Sequence, residues 1–267
     1  MKKIDIRDYL TANFIGRSIE YHETITSTNI RAKEIAREAD EGTVVIAEEQ
    51  TMGKGRLGRN WTSPKGKGLW FSIILKPKVK VEEATKITLI GAAAVYKALK
   101  DMGIESYIKW PNDIVIDGKK VCGILTEMIF RDKGSYFIII GIGINVNLDE
   151  EDFNEDLKNK ATSLKLVRRS EVDRNKLFAY VLNNFEILYI PFKEKGDIRE
   201  AIEISRERSI LIGKEVRIIG GNREKTARVL DIDNEGQLIV KYRDGKTEAL
   251  FSGEVSIRGM EGYMDNC

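Results

Sequence analysis

Two short stretches concentrate the residues able to do chemistry: Gly53-Lys54-Gly55-Arg56-Leu57-Gly58-Arg59-Asn60-Trp61 and Lys109-Trp110-Pro111-Asn112-Asp113. The first is a glycine-rich loop with cations at Lys54, Arg56 and Arg59. Glycines let backbone N–H groups approach an anion because no Cβ stands in the way. Mobile positive charge beside them suits a phosphate about to react. The alternative reading is a solvated basic loop. In the second stretch Pro111 breaks a strand and biases Trp110 to an extended conformation. Asn112 and Asp113 then stand at a strand corner, where their oxygens suit Mg²⁺; the alternative is a structural Asx turn. Lys119-Lys120 follows the turn Asp117-Gly118 and precedes an apolar strand. Strict alternation puts Lys120 on the face of Cys122, Ile124 and Thr126, able to reach a pocket at the strand end.

Two nucleotide motifs are excluded. A P-loop needs four residues between its glycines and then Lys-Ser/Thr, which Gly53-Lys54-Gly55 does not offer. Gly141-Ile142-Gly143 has the first two glycines of a dinucleotide fingerprint, but Val146 occupies the third place.

The 267 residues suffice for one large domain and a small one. With 42% apolar and 32% charged residues the chain is globular. Its 44 basic and 42 acidic side chains leave +2, so no global field points to nucleic acid. His22 is the only histidine and the two cysteines, Cys122 and Cys267, are far apart. Histidine/cysteine zinc sites and Ser-His-Asp triads are thereby excluded, as is a disulfide framework, and a reducing cytoplasm is expected. No apolar run approaches ~20 residues and the N-terminus has no signal-type core, so no membrane partner is expected.

Around these segments the pattern predicts a helix over 30–39 behind Ser27-Thr28-Asn29 as N-cap, strands over 43–47 and 68–75, and a helix over 82–102. A hairpin follows, 114–116 and 121–125 about Asp117-Gly118, then a turn over 131–134 into a strand over 136–146. Consecutive hairpins mean antiparallel pairing, which argues against a doubly wound parallel sheet. Leu177, Val181, Phe185 and Leu188 mark another helix, Ile198 and Ile202 a further one. From residue 211 short strands over 215–220, 227–232, 238–242 and 247–251 look like a small barrel. The expected division is a domain over 1–210 and another over 211–267.

Taken together, Ser27-Thr28-Asn29, Gln50, Gly53 to Trp61, Lys109 to Asp113, Lys120 to Glu127 and Gly141 to Asn147 resemble the biotin–protein ligases in order and spacing. Phe251 to Arg258 resembles the close of their small C-terminal domain. The resemblance implies an α+β fold: a mixed, largely antiparallel central sheet with flanking helices, related to class II aminoacyl-tRNA synthetase cores, plus an SH3-like β-barrel. It implies activation of biotin with MgATP to biotinyl-5′-AMP, then transfer to a lysine of a biotin carboxyl carrier protein or domain. Ser27, Thr28 and Asn29 would meet the ureido and thiophane end of biotin; Gln50, Arg56 and Lys120 would line its carboxylate and the phosphate. Gly53, Lys54, Gly55 and Gly123 complete the implied biotin set, and Trp61 would shield the ligand from water. Arg56, Arg59, Lys109, Asn112, Lys120, Gly143 and Asn145 are the implied nucleotide set, with Lys120, Arg56 and Asp113 catalytic and Asn112 and Asp113 beside Mg²⁺. The family usually has arginine where this chain has Lys54, which keeps the charge but loses the bidentate fork.

The chemistry fits on independent grounds. Biotin's carboxylate is already ionised at neutral pH, so the first step needs positive charge rather than a base. A lipoate–protein ligase is the rival enzyme. A nucleic-acid module in the barrel is disfavoured, because Lys225, Arg228, Lys241 and Arg243 alternate with Glu224, Asp231, Glu235 and Asp244, and only Tyr242 could stack. With no helix-turn-helix ahead of the first functional segment, a ligase without repressor activity is expected. Family members are often dimeric, so a homodimer through an exposed sheet edge is expected.

Overall fold

The computed structural model describes residues 5–130, 136–220, 223–253 and 255–260. Twelve strands and six α-helices are described in it. The first domain runs β1 (Ile19–Ile25), α1 (Thr28–Ile35), β2 (Val44–Gln50), β3 (Leu69–Leu75), α2 (Ile87–Asp101), β4 (Tyr107–Lys109), β5 (Asp113–Ile116), β6 (Lys119–Phe130) and β7 (Tyr136–Ile144). Helices α3 (Glu155–Lys158), α4 (Leu164–Arg168), α5 (Arg174–Lys195) and α6 (Arg199–Glu207) follow. The chain closes with β8 (Glu215–Gly220), β9 (Arg223–Ile232), β10 (Leu238–Tyr242), β11 (Thr247–Leu250) and β12 (Ser256–Arg258).

Strands β1–β7 form one sheet in the order β1-β2-β3-β7-β6-β5-β4. Only β1 and β2 are parallel; every other neighbour is antiparallel. The C-terminal strands form a separate antiparallel sheet, β11-β10-β9-β8-β12, consistent with a small SH3-like domain. This is the expected α+β architecture.

Most of the apolar residues gather on one face of the large sheet. Helix α2 is buried nearly all round, from Ile87 to Leu99, between the sheet and α5, which its run of Ile, Leu and Ala allows. Phe71 of β3 meets Phe178 of α5 edge to face at 4.9 Å. The opposite face carries α1, whose Ala32 joins Val45, Ile74 and Ile139 in a smaller cluster.

Several expected boundaries shift. The first helix starts at Thr28 and ends at Ile35, and Ser27 caps it without a side-chain bond. Gln50 does that work: its Oε1 accepts from the Thr28 N–H at 2.9 Å. The long helix over 82–102 is a 3₁₀ segment, Val81–Lys86, continued by α2. Strands β6 and β9 begin earlier than expected, and β6 ends later. The turn expected over 131–134 and Cys267 lie outside the described residues. Strands β1 and β12 were not anticipated: β1 is half-exposed and charged, and β12 spans three residues.

One buried charge anchors the N-terminal segment. Glu186 on α5 accepts from the backbone N–H groups of Asn13, Phe14 and Ile15 at 2.5, 2.9 and 2.9 Å. Burial pushes its carboxyl pKa up, but those bonds outweigh burial and hold it below the usual value. Glu186→Ala leaves three donors unmatched and is expected to lower stability by about 3 kcal/mol, read from denaturant unfolding. Because the folded pKa is depressed, the carboxylate's contribution is full at neutral pH and fades as pH falls through the acid range. The gap between wild type and variant should therefore shrink below about pH 4.

Candidate active site

Strands β5 and β6 are joined by Asp117-Gly118, with φ of +50° and +70°, the left-handed pair a two-residue hairpin turn requires. The pairing then slips. Ile114 faces Cys122, but Val115 faces Lys120, so Val121 is an extra residue on β6. A bulge of this kind moves following side chains to the other face. Lys120 consequently does not lie with Cys122, Ile124 and Thr126. Those residues face α2, where Thr126 meets Thr88 at 2.9 Å and Ile124 meets Gly91. Lys120 lies over Gly123, where an added Cβ would sit 2.9 Å from both its Cε and its Nζ.

The bulge is clamped from both sides. Lys120 N–H donates to the Lys160 carbonyl and its own carbonyl accepts from Thr162 N–H, each at 2.9 Å. Asn145 N–H donates to the Val121 carbonyl at 2.9 Å and its Nδ2 to the Thr162 carbonyl at 3.1 Å. The Lys120 ammonium is thereby delivered to Asp113 Oδ1 at 2.5 Å and lies 5.1 Å from the Trp61 ring centroid.

Two cavities meet at this ammonium. The wide one, about 740 Å³, is bordered by Arg56, Arg59, Lys109, Lys120, Lys160, Arg217 and Arg258, against the carboxylates Asp113 and Asp152. Such an excess of cations favours a polyanion. The narrow one, about 40 Å³, reaches in from it towards Ser27, Thr28, Asn29 and Gln50 across the backbone of Gly123, Gly141 and Gly143. Gly55, Arg56, Trp61, Asn112 and Lys120 border both. That shared ring of residues is where an elongated acid and a nucleotide would touch.

Most of the residues singled out in the sequence come together here. Lys54 lines the narrow cavity, and its backbone pairs with Asn60. Gly53 lines neither cavity and packs against the Trp61 carbonyl. Gly143, expected on the nucleotide side, lies in the wall of the narrow cavity with the Trp61 indole against it; Asn145 lines the wide one. Gln50 sits in the narrow wall with its Oε1 on Thr28 and its Nε2 on Ser63 Oγ at 2.9 Å. Trp61 packs edge to face on Trp70, which is fully buried.

Asn112 and Asp113 part company as metal ligands. Asn112 Oδ1 accepts from Arg56 Nη1 at 2.7 Å, while its Nδ2 donates to Asp113 at 3.1 Å and to the Ile124 carbonyl at 3.0 Å. An oxygen bound to a guanidinium is a poor metal ligand. Among the described residues no group of three or more acidic, histidine or cysteine side chains could hold a metal. Of the two carboxylates on the wide cavity, Asp152 pairs with Lys67 at 2.6 Å and Asp113 with Lys120 at 2.5 Å. The donor set suits a divalent ion that arrives on phosphates rather than a cage of protein ligands, and Asp113 is the carboxylate that would face it.

Arg217, Arg258 and Ser256 border the wide cavity from the C-terminal sheet, and Arg56 Nη2 donates to the Val255 carbonyl at 3.2 Å. Sequence reasoning did not assign these residues a role. Their signal was slight: Arg258 falls in the closing Phe251 to Arg258 segment, but nothing local aims it at a loop two hundred residues earlier. Cys122 is wholly buried, and burial pushes its thiol pKa far up, so it is no nucleophile. The barrel's one stacking candidate, Tyr242, is engaged with Glu248 at 2.6 Å and lies beneath Lys225.

Residues 21–145 match the biotin/lipoate A/B protein ligase family, and residues 211–258 match the biotin protein ligase C-terminal domain. The chain is 36% identical to the bifunctional ligase/repressor BirA of Bacillus subtilis over 96% of its own length and 79% of that protein's. It is 30% identical to the biotin–[acetyl-CoA-carboxylase] ligase of Mycobacterium tuberculosis, over 94% of this chain and 93% of the other. The chain belongs to the biotin protein ligase family. The biotin protein ligase of Aquifex aeolicus in complex with biotin and ATP superposes with a TM-score of 0.79 at 31% identity, covering 91% of this chain and 99% of that one. Beside that family assignment stand the paired cavities, a narrow recess that opens into a cationic chamber.

Lys109 is 3% exposed. Burial pulls its amine well below the ordinary lysine range; Asp113 opposes that, and Arg258, Lys120 and Arg59 reinforce it. Lys109 nonetheless borders the wide cavity. Lys109→Met should raise KM for ATP about tenfold, a loss within the range for a hydrogen bond to a charged group. Steady-state kinetics check it.

Proposed function

We propose that this protein joins biotin to a carrier-protein lysine in two steps, with the carboxylate of biotin at the junction of the two cavities. It is an ATP-dependent biotin ligase. Biotin and ATP give biotinyl-5′-AMP and pyrophosphate; a biotin carboxyl carrier protein or domain then receives the biotinyl group. The observation that carries the assignment of roles is the set of residues common to both cavities, Arg56, Trp61, Asn112 and Lys120 among them.

In the first step a carboxylate oxygen forms a bond to the α-phosphorus while the bond to the bridging oxygen of pyrophosphate breaks. Two anions must approach, so the barrier is largely repulsion. Lys120 sits between them, able to touch both, and Arg56 closes over the same point. Preorganised cations in a partly desolvated site stabilise such a transition state by several kcal/mol. Lys109, Arg59, Arg217 and Arg258 face the remaining phosphates. Asp113 would face a Mg²⁺ brought in on the ATP, and that ion would supply neutralisation of phosphate charge.

Trp61 caps the narrow cavity, which at about 40 Å³ holds little more than a water. Biotin entry therefore requires the 52–61 loop to lift, and its return excludes water from a mixed anhydride that would otherwise hydrolyse. In the second step the incoming amine must lose a proton, to Asp113 or to the departing phosphate. The lipoate alternative loses support here: the C-terminal match is to a biotin protein ligase domain and the similar proteins with stated substrates are biotin ligases. The reading includes a domain boundary near residue 210 and a homodimer formed at a free sheet edge. It also includes a cytoplasmic site of action, supported by the unpaired, buried Cys122.

Biotin-dependent exchange of labelled pyrophosphate into ATP tests the activity itself; no exchange would refute it. Lys120→Ala is expected to slow exchange about 10²–10³-fold, the loss seen when one preorganised donor is removed, with biotin affinity changed far less. Arg56→Ala should release biotinyl-AMP faster than wild type, measured by rapid filtration; an unchanged release rate would remove Arg56 from the adenylate site.

A further inference from the structure

A polar relay behind the narrow cavity involves two residues so far given no part in the reaction. Asn29 and Lys33 lie one turn apart on α1, so their side chains project from the same flank of the helix. Both reach Glu127 on β6. Asn29 Nδ2 donates to Glu127 Oε2 at 2.8 Å, and Lys33 Nζ pairs with Glu127 Oε1 at 2.5 Å. On its other side Asn29 Oδ1 accepts from the fully buried Ser72 Oγ at 2.6 Å. It lies so close to the floor that a Cβ on Gly141 would meet it at 2.1 Å.

A carboxylate can only accept and a carboxamide has one end of each kind. Glu127 therefore fixes which way the Asn29 amide points, and Lys33 fixes Glu127. The remaining Nδ2 hydrogen is directed at the Leu125 carbonyl, 3.5 Å away. What Asn29 has left for a ligand is an oxygen with acceptor capacity to spare, almost wholly buried at 5% exposure.

We propose that Glu127, held by Lys33, is a positioning residue that turns the Asn29 carboxamide into a fixed acceptor for a ureido N–H, and so selects a cyclic-urea ligand over one with no N–H donor. This rests on the two-cavity reading above. With the carboxylate of the ligand at Lys120, its far end must lie at Ser27, Thr28 and Asn29. A urea ring brings two N–H donors to that end. A dithiolane or a plain alkyl end brings none, so the acceptor capacity that Asn29 Oδ1 has beyond its bond from Ser72 would be desolvated without a donor, which is how a polar pocket disfavours a near-isostere.

The test compares wild type, Glu127→Ala and Glu127→Gln in pyrophosphate exchange, with biotin and with desthiobiotin, which keeps the urea ring and lacks the thiophane. Wild type without biotin-dependent exchange would refute the biotin reading and not the relay. Given exchange, Glu127→Ala should raise KM for biotin about tenfold and leave kcat and KM for ATP within about twofold. The same loss is expected with desthiobiotin. Glu127→Gln, which retains an acceptor for Asn29, should recover most of it. An unchanged KM for biotin in Glu127→Ala would overturn the proposal, as would a loss confined to biotin. So would a Glu127→Gln variant as impaired as Glu127→Ala, or a fall in kcat with KM for ATP shifted alongside.

Discussion

In the proposed first step an ammonium group must touch two mutually repelling anions, and it has to be held by backbone, because a free lysine side chain would drift to whichever anion arrived first. Here the extra residue Val121 in β6 supplies that hold. The bulge turns Lys120 out of the α2-packed face and over Gly123, and the 160–162 segment and Asn145 fasten the backbone on each side. Asp113 at 2.5 Å keeps the ammonium in place before any ligand comes. The two cavities, the glycine floor and the Trp61 cap acquire meaning only in relation to that point.

The fold around it is arranged to deliver cations from separate parts of the chain. The glycine-rich loop brings Arg56 and Arg59, the β4–β5 corner brings Lys109, and the C-terminal sheet brings Arg217 and Arg258. Each adds positive charge to the same chamber. The Arg56 contact with the Val255 carbonyl and the Trp110 indole bond to the Gly236 carbonyl at 2.9 Å tie the two sheets together beside the chamber. On the proposed reading, a site assembled in this way gains its affinity from the charge of the phosphates it receives.

Much of this was legible in residue types. Asp117-Gly118 between apolar runs announced the hairpin, and Ile, Leu and Ala at helical spacing announced α2. The glycine-rich loop and Lys109 to Asp113 stood out by residue type, and the fold brings them to one cavity. What was not legible depends on contacts distant in sequence. Strict alternation assigns Lys120 to the wrong face, because a bulge has no signature in Val121 itself. Gln50 capping α1 in place of Ser27 depends on β2 lying beside the helix. Asn112 looks like an oxygen ligand until Arg56 is seen to occupy that oxygen. Strand β1 lacks apolar alternation because it is an edge strand open on one side.

The account is tested most directly by a crystal structure with a non-hydrolysable analogue of biotinyl-5′-AMP. It predicts Lys120 Nζ within about 3 Å of an oxygen of the acyl-phosphate mimic, the bicyclic ring deep in the narrow cavity and the adenylate in the wide one. A structure in which Lys120 remains turned to Asp113 with the mimic out of its reach would contradict it.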